Sequence, residues 1–144
     1  FYFKMQASFS FVGSSAAAQT KVSDSPCFGK VEPPARERMG VVVYNGGQRS
    51  HFCELDTHIG WLEKHPSNGH VYAAGSGKLR AMKIDADGSL VEFSSTDALG
   101  NPAHFEISAD GAWALCANYS ASTLAVIPIG SDGSLGDATD SKMH

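Results

Sequence analysis

Six histidines, three cysteines and two tryptophans carry most of the chemical reach of this 144-residue chain. An imidazole changes charge near neutral pH, so a histidine on a wetted wall can hold a ligand or pass a proton. His104 is the first candidate for such a role, catalytic or substrate-binding. It lies in the β-rich run Ala103-His104-Phe105-Glu106-Ile107, in which alternate side chains face opposite ways. Ala103, Phe105 and Ile107 are then expected on one face, His104 and Glu106 on the other. The competing reading of His104 is structural, a ring bonded to a neighbouring strand and partly buried there. His65 is the second candidate for substrate binding. It occupies comparable ground upstream together with Trp61, whose indole reads as core.

The remaining chemistry-bearing residues read as structural. His51 and His58 stand seven residues apart across a turn, and neither pairs with His70 at a zinc spacing. No metal is expected, and no cofactor. Cys27, Cys53 and Cys116 are odd in number and form no Cys-x-x-Cys pair, which argues against a disulfide framework. Cys116 alternates with Ala114 and reads as a small buried hydrophobe, with Cys53 placed similarly. Asp87, Asp110 and Asp132 each precede a glycine, where an aspartate bonds its own backbone. A calcium site would need carboxylates that converge, and these stand at separate turns. Asn118 reads as a turn former and Tyr119 as an aromatic packed between sheets.

The elements that must position these residues are short strands. Residues 103–107, 112–117 and 123–129 are β-rich runs, separated by turns at 108–111 and 118–122 and closed by Ser131-Asp132-Gly133-Ser134. The same grammar appears upstream. Residues 61–65, 71–74 and 79–84 are separated by turns at 66–69 and 75–78 and closed by Asp87-Gly88-Ser89-Leu90, with 91–94 as an outer strand. Gly69 and Gly111 are 42 residues apart, and Gly88 and Gly133 are 45 apart. The three-residue difference is assigned to the middle turn, longer in the second copy. A multi-strand repeat of roughly 40–45 residues is the period of a β-propeller blade. Before the repeats, 39–44 and 50–55 flank Asn45-Gly46-Gly47 and read as a hairpin. The expected fold is all-β: a partial β-propeller of about two four-stranded antiparallel blades plus a remnant hairpin, with no helix.

The net charge of −4 lacks the clustered lysine and arginine of a nucleic-acid or anionic-membrane surface, so neither partner is expected. Residues 1–4 precede the first methionine, Met5, and are set apart from the fold. Residues 5–20 have neither the basic start and apolar core of a secretory signal nor the arginines of a transit peptide. They read as a disordered tail, and the expected location is cytoplasmic. Residues 21–38 hold Pro26, Pro33 and Pro34 and read as a linker or irregular cover. The expected division is 1–38 disordered or irregular and 39–144 an incomplete propeller domain. A closed ring needs at least about four blades, so the chain reads as an N-terminal fragment, with a further blade beginning at 141–144.

Taken together, Asn101-Pro102-Ala103-His104-Phe105, Ser108-Ala109-Asp110-Gly111, Ala117-Asn118-Tyr119-Ser120 and Asp132-Gly133-Ser134-Leu135-Gly136 resemble the lactonase family of seven-bladed β-propellers. Upstream, Pro66-Ser67-Asn68-Gly69-His70-Val71-Tyr72 and Lys83-Ile84-Asp85-Ala86-Asp87-Gly88-Ser89-Leu90 fit the preceding blade. The family includes propeller-type 6-phosphogluconolactonases and carboxy-muconate lactonizing enzymes. The resemblance implies a small-molecule lactone substrate and hydrolysis of a sugar-acid lactone such as 6-phosphogluconolactone, in the pentose phosphate route. It also implies a site in the central channel, built on a His, Arg and Glu set from blades after Leu135. The catalytic residues are therefore expected downstream of this chain, and the chain alone is expected to be inactive. The alternative is a non-catalytic propeller that binds a protein or small molecule through its channel or rims, since fold alone does not select between them.

Overall fold

The computed structural model describes residues 39–45 and 48–143. The readings for residues 1–38, Cys27 among them, and for His144 lie outside that range. Ten strands are described: β1 (Met39–Asn45), β2 (Gln48–Leu55), β3 (Trp61–Lys64), β4 (Val71–Gly75), β5 (Lys78–Ile84), β6 (Leu90–Asp97), β7 (Pro102–Ile107), β8 (Trp113–Asn118), β9 (Thr123–Pro128) and β10 (Asp140–Met143). They form one antiparallel hairpin, β1-β2, and two four-stranded antiparallel sheets, β3-β4-β5-β6 and β7-β8-β9-β10. Each four-stranded sheet is a meander, as its turn grammar requires. β6 runs further than residues 91–94. β10 is the fourth strand of the second sheet, so 140–143 completes that blade and does not start another.

Strand pairing corrects the repeat length. Lys64 opposes Val71 in β3-β4 as Ile107 opposes Ala114 in β7-β8, so the first two strands superpose 43 residues on. Val71 opposes Met82 and Ala114 opposes Ile127, which puts the third strands 45 residues on. The middle turn therefore gains two residues. Turn glycines misled by one because Gly69 and Gly111 occupy neighbouring positions of their six-residue connections, while the ladder itself is set by side-chain burial.

Two apolar layers hold the sheets. Tyr72, Ala74, Leu79 and Ala81 of the first blade pack against Phe105, Ile107, Ala114, Cys116, Ala125 and Ile127 of the second. On its other face the first blade packs Val71, Ala73, Met82 and Leu90 against Val41, Val43, Cys53 and Leu55 of the hairpin. β4 is consequently covered on both sides and buried throughout, which its unbroken apolar run anticipates. β8 is covered on one side only, and its burial alternates. Cys116 is fully buried, and burial pushes its thiol up to about 12. Cys53 is only half-buried, its thiol raised by burial and then by Glu92.

Arg80 joins the approach to β3 to the first blade. Its guanidinium is buried, donates to the Gly75 carbonyl, and pairs with Asp56 at 3.0 Å and Glu92 at 3.3 Å. Thr57 and Ser76 hydrogen-bond through their hydroxyls nearby. These polar contacts fasten the short connection after β2, which has few apolar side chains to do so.

Candidate functional site

β3 and β7 are terminal strands of their sheets and lie side by side, with β7 also against β4. In radial packing such strands wall the central axis. Their free edges would leave backbone donors unpaired. Glu63 meets this need: its Oε1 accepts the Ile107 N–H at 3.1 Å. Glu63 was not singled out from sequence. The 43-residue ladder pairs it with Glu106, and that recurrence is the signal that could have found it.

The same ladder makes Trp61 and His104 equivalent positions of successive inner strands. Their rings meet, centroids 4.2 Å apart and planes tilted by 56°. Both are exposed, Trp61 at 37%. Trp61 is therefore a surface aromatic of the inner wall and not core. His104 likewise differs from the partly buried, strand-bonded ring of its structural reading: it is exposed, and its ring contact is with the indole. His104 keeps the face that alternation assigns it, with Glu106 and opposite Phe105 and Ile107, and the register shift between Pro102 and His104 alters only the start of the strand. A bulge puts two consecutive side chains on one side. Ala103 and His104 are both exposed, Phe105 and Ile107 both buried, so Ala103 leaves the face assigned to it.

His65 does not share this site. It follows the last residue of β3, at the opposite end of the strand from Trp61. It is 6% exposed and fully engaged. Its Nδ1 accepts the N–H groups of Ser67 and Asn68, each at 3.2 Å, and its Nε2 lies 2.9 Å from the Gly111 carbonyl. Two donors on Nδ1 require a lone pair there, so Nε2 carries the hydrogen and donates to Gly111. This histidine joins two blades. Gly111 has φ +75° and no room for a side chain: a Cβ would stand 2.3 Å from His65 Cε1. An open recess of about 320 Å³ adjoins the contact, lined by His65, Ser67, Asn68, Asp110, Gly130 and Ser131 among others.

Two more histidines press on turn glycines of the next layer. His70 lies against Gly133 and, edge-on, against Phe93 at 4.9 Å between centroids, while His51 lies against Gly88. Tyr72 donates its hydroxyl to the Gly133 carbonyl at 2.7 Å. Burial pushes its phenol up, an Asn68 hydrogen bond opposes this, and Asp132 adds to the rise. Asp87, Asp110 and Asp132 accept backbone N–H groups two residues on, as expected of turn residues. Asn118 is a strand residue, buried, whose amide donates to the Ala98 carbonyl at 2.8 Å and to Thr123. Tyr119 is 87% exposed and packs between no described sheets. Among the described residues, no three His, Cys, Asp or Glu side chains are grouped to hold a metal ion.

The inner strands thus present an indole and an imidazole in tilted contact, both exposed. A family model described as lactonase, 7-bladed beta-propeller, matches residues 54–144. The 6-phosphogluconolactonase of Pectobacterium carotovorum is 32% identical over 74 residues, half of this chain and 22% of its own length. A proposed 6-phosphogluconolactonase of Bacteroides fragilis shares the fold at a TM-score of 0.62 and 21% identity, over 77% of this chain and 34% of its own. The periplasmic gluconolactonase of Pseudomonas aeruginosa shares it at a TM-score of 0.58 and 20% identity, over 73% and 34%. The chain spans about a fifth of that curated relative's length and about a third of each solved structure's.

Proposed function

The chain belongs to the lactonase family of seven-bladed β-propellers, and from that membership we propose that it forms part of the wall of a site that binds and opens a small sugar-acid lactone. The Trp61–His104 pair on adjacent inner strands carries this reading. Lactone hydrolysis needs an activated water, a base, and a donor for the oxygen that gains charge on the carbonyl. His104 is suited to the donor or base role because it is exposed on the inner strand β7. Phosphorylated lactones such as 6-phosphogluconolactone also need an arginine or lysine clamp. Arg80 does not serve, being buried between Asp56 and Glu92. The clamp and the remaining catalytic groups belong to other blades of a complete ring. The 144-residue chain by itself binds lactone without turning it over. Work in the cytoplasm on the pentose phosphate route is the setting we favour.

The test is binding of a hydrolysis-resistant six-membered sugar lactam by calorimetry, with acid release from 6-phosphogluconolactone followed alongside. The expected result is saturable binding and no acid release above the spontaneous rate. His104→Ala should weaken binding about tenfold, the loss of one charge-assisted or neutral hydrogen bond in a partly desolvated site. Binding unchanged by that substitution would remove His104 from the site.

A further inference from the structure

We propose that Trp61 is the stacking platform that selects a cyclic over an open-chain sugar acid, a role that rests on the lactone-binding reading above. Three features point to it. Trp61 stands on the inner strand β3 at the position that His104 takes on β7, one repeat on. The indole remains 37% exposed. Its ring is in contact with that of His104, centroids 4.2 Å apart and planes tilted by 56°, so the two side chains meet at one place on these strands. An inner-strand tryptophan held only to fill a core would be covered, as Tyr72 and Phe105 are.

The chemistry follows from the two rings. The C–H groups of a six-membered lactone form an apolar patch that lies well on an aromatic face, while its carbonyl and hydroxyls need donors at the edge. Indole supplies the first and the neighbouring imidazole the second. An open-chain aldonate has no such rigid face and must be ordered on binding, at an entropic cost. The product of ring opening is therefore held less well than the substrate, which favours its release.

Trp61 and Trp113 are the only tryptophans of the chain. Trp113→Phe therefore leaves Trp61 as sole reporter, on a residue that lies outside the proposed site. Titration of that variant with gluconolactam should quench and shift the indole emission saturably, and open-chain gluconate should do so about tenfold more weakly. Calorimetry on Trp61→Leu should show lactam affinity reduced about tenfold and the preference for lactam over gluconate lost. Trp61→Phe should keep most of both. Circular dichroism of each variant separates misfolding from loss of contact, and Trp61→Phe, the milder change, decides if Trp61→Leu fails to fold. Lactam binding that survives Trp61→Leu but is lost in His104→Ala would overturn the platform and leave the lactone-binding reading standing. Absence of saturable lactam binding in the unaltered chain would overturn both.

Discussion

His65 shows how much a single buried ring can join. It accepts two backbone donors of its own turn and donates to the carbonyl of Gly111 in the next blade. His65→Ala removes the partner of those groups at a junction only partly shielded by its adjoining recess, and should destabilise the chain by about 1–2 kcal/mol. Gly111→Ala attacks the same contact from the other side. Its backbone φ of +75° is poor for alanine, and its Cβ would overlap the imidazole. A loss of about 2 kcal/mol is expected. Urea midpoints of both single variants and the double variant check this. The two losses should be clearly less than additive, because each removes the same contact. Additive losses would mean that the ring and the glycine act separately.

Among the elements, the Asp-turns that close the hairpins have a measurable titration. Ser89, Ser108 and Ser134 hydroxyls, then backbone N–H groups, hold Asp87, Asp110 and Asp132 below the usual carboxylate range. The folded state thus binds these protons less readily than the unfolded chain. The stabilisation is in place above about pH 4, the ordinary aspartate value, and is lost as pH falls through the depressed native values. These carboxylates are fully exposed, so the effect is small and weakens with salt. Urea midpoints measured from pH 6 down to pH 2 should fall, and the triple change to asparagine should flatten that slope. An unchanged slope would show that the turns are indifferent to their charge. β7 carries a different lesson: its bulge brings Ala103 to the exposed side beside His104, while His104 to Ile107 keep their alternation.

For the whole molecule, the decisive asymmetry lies between the faces of the two blades. The first blade is covered on both sides, by the hairpin and by the second blade. The second blade leaves Trp113, Leu115 and Leu124 exposed at 40%, 46% and 37%. Leu115 takes the place in its blade that Tyr72, fully buried, takes in the first. An apolar sheet face of this kind associates when uncovered. Sedimentation velocity should show concentration-dependent self-association of the chain, and Leu115→Lys should shift it towards monomer without lowering the urea midpoint. Monomer at all concentrations in the unaltered chain would contradict this.

While the stretch that forms β10 read as the start of a further blade, the sequence by itself determined the strands up to β9, the meanders, the two-copy repeat and the family. Those depend on local rules: β-branched runs, Asp-Gly punctuation and period-2 alternation, all of which act within a few residues. It also identified the aspartate turns and the burial of Cys116 for the same reason. The tertiary structure alone decided the roles of the histidines and of Trp61. His65 and His104 looked alike along the chain, yet one is buried in a blade junction and the other is open on the inner wall. Trp61, Glu63 and His104 acquire their roles from β3 lying beside β7, a contact between residues more than 40 positions apart. No local pattern encodes such a contact. It follows from which apolar faces the two sheets bury against each other, and the bulge at the start of β7, which turns Ala103 to the exposed side beside His104, is visible only in the ladder.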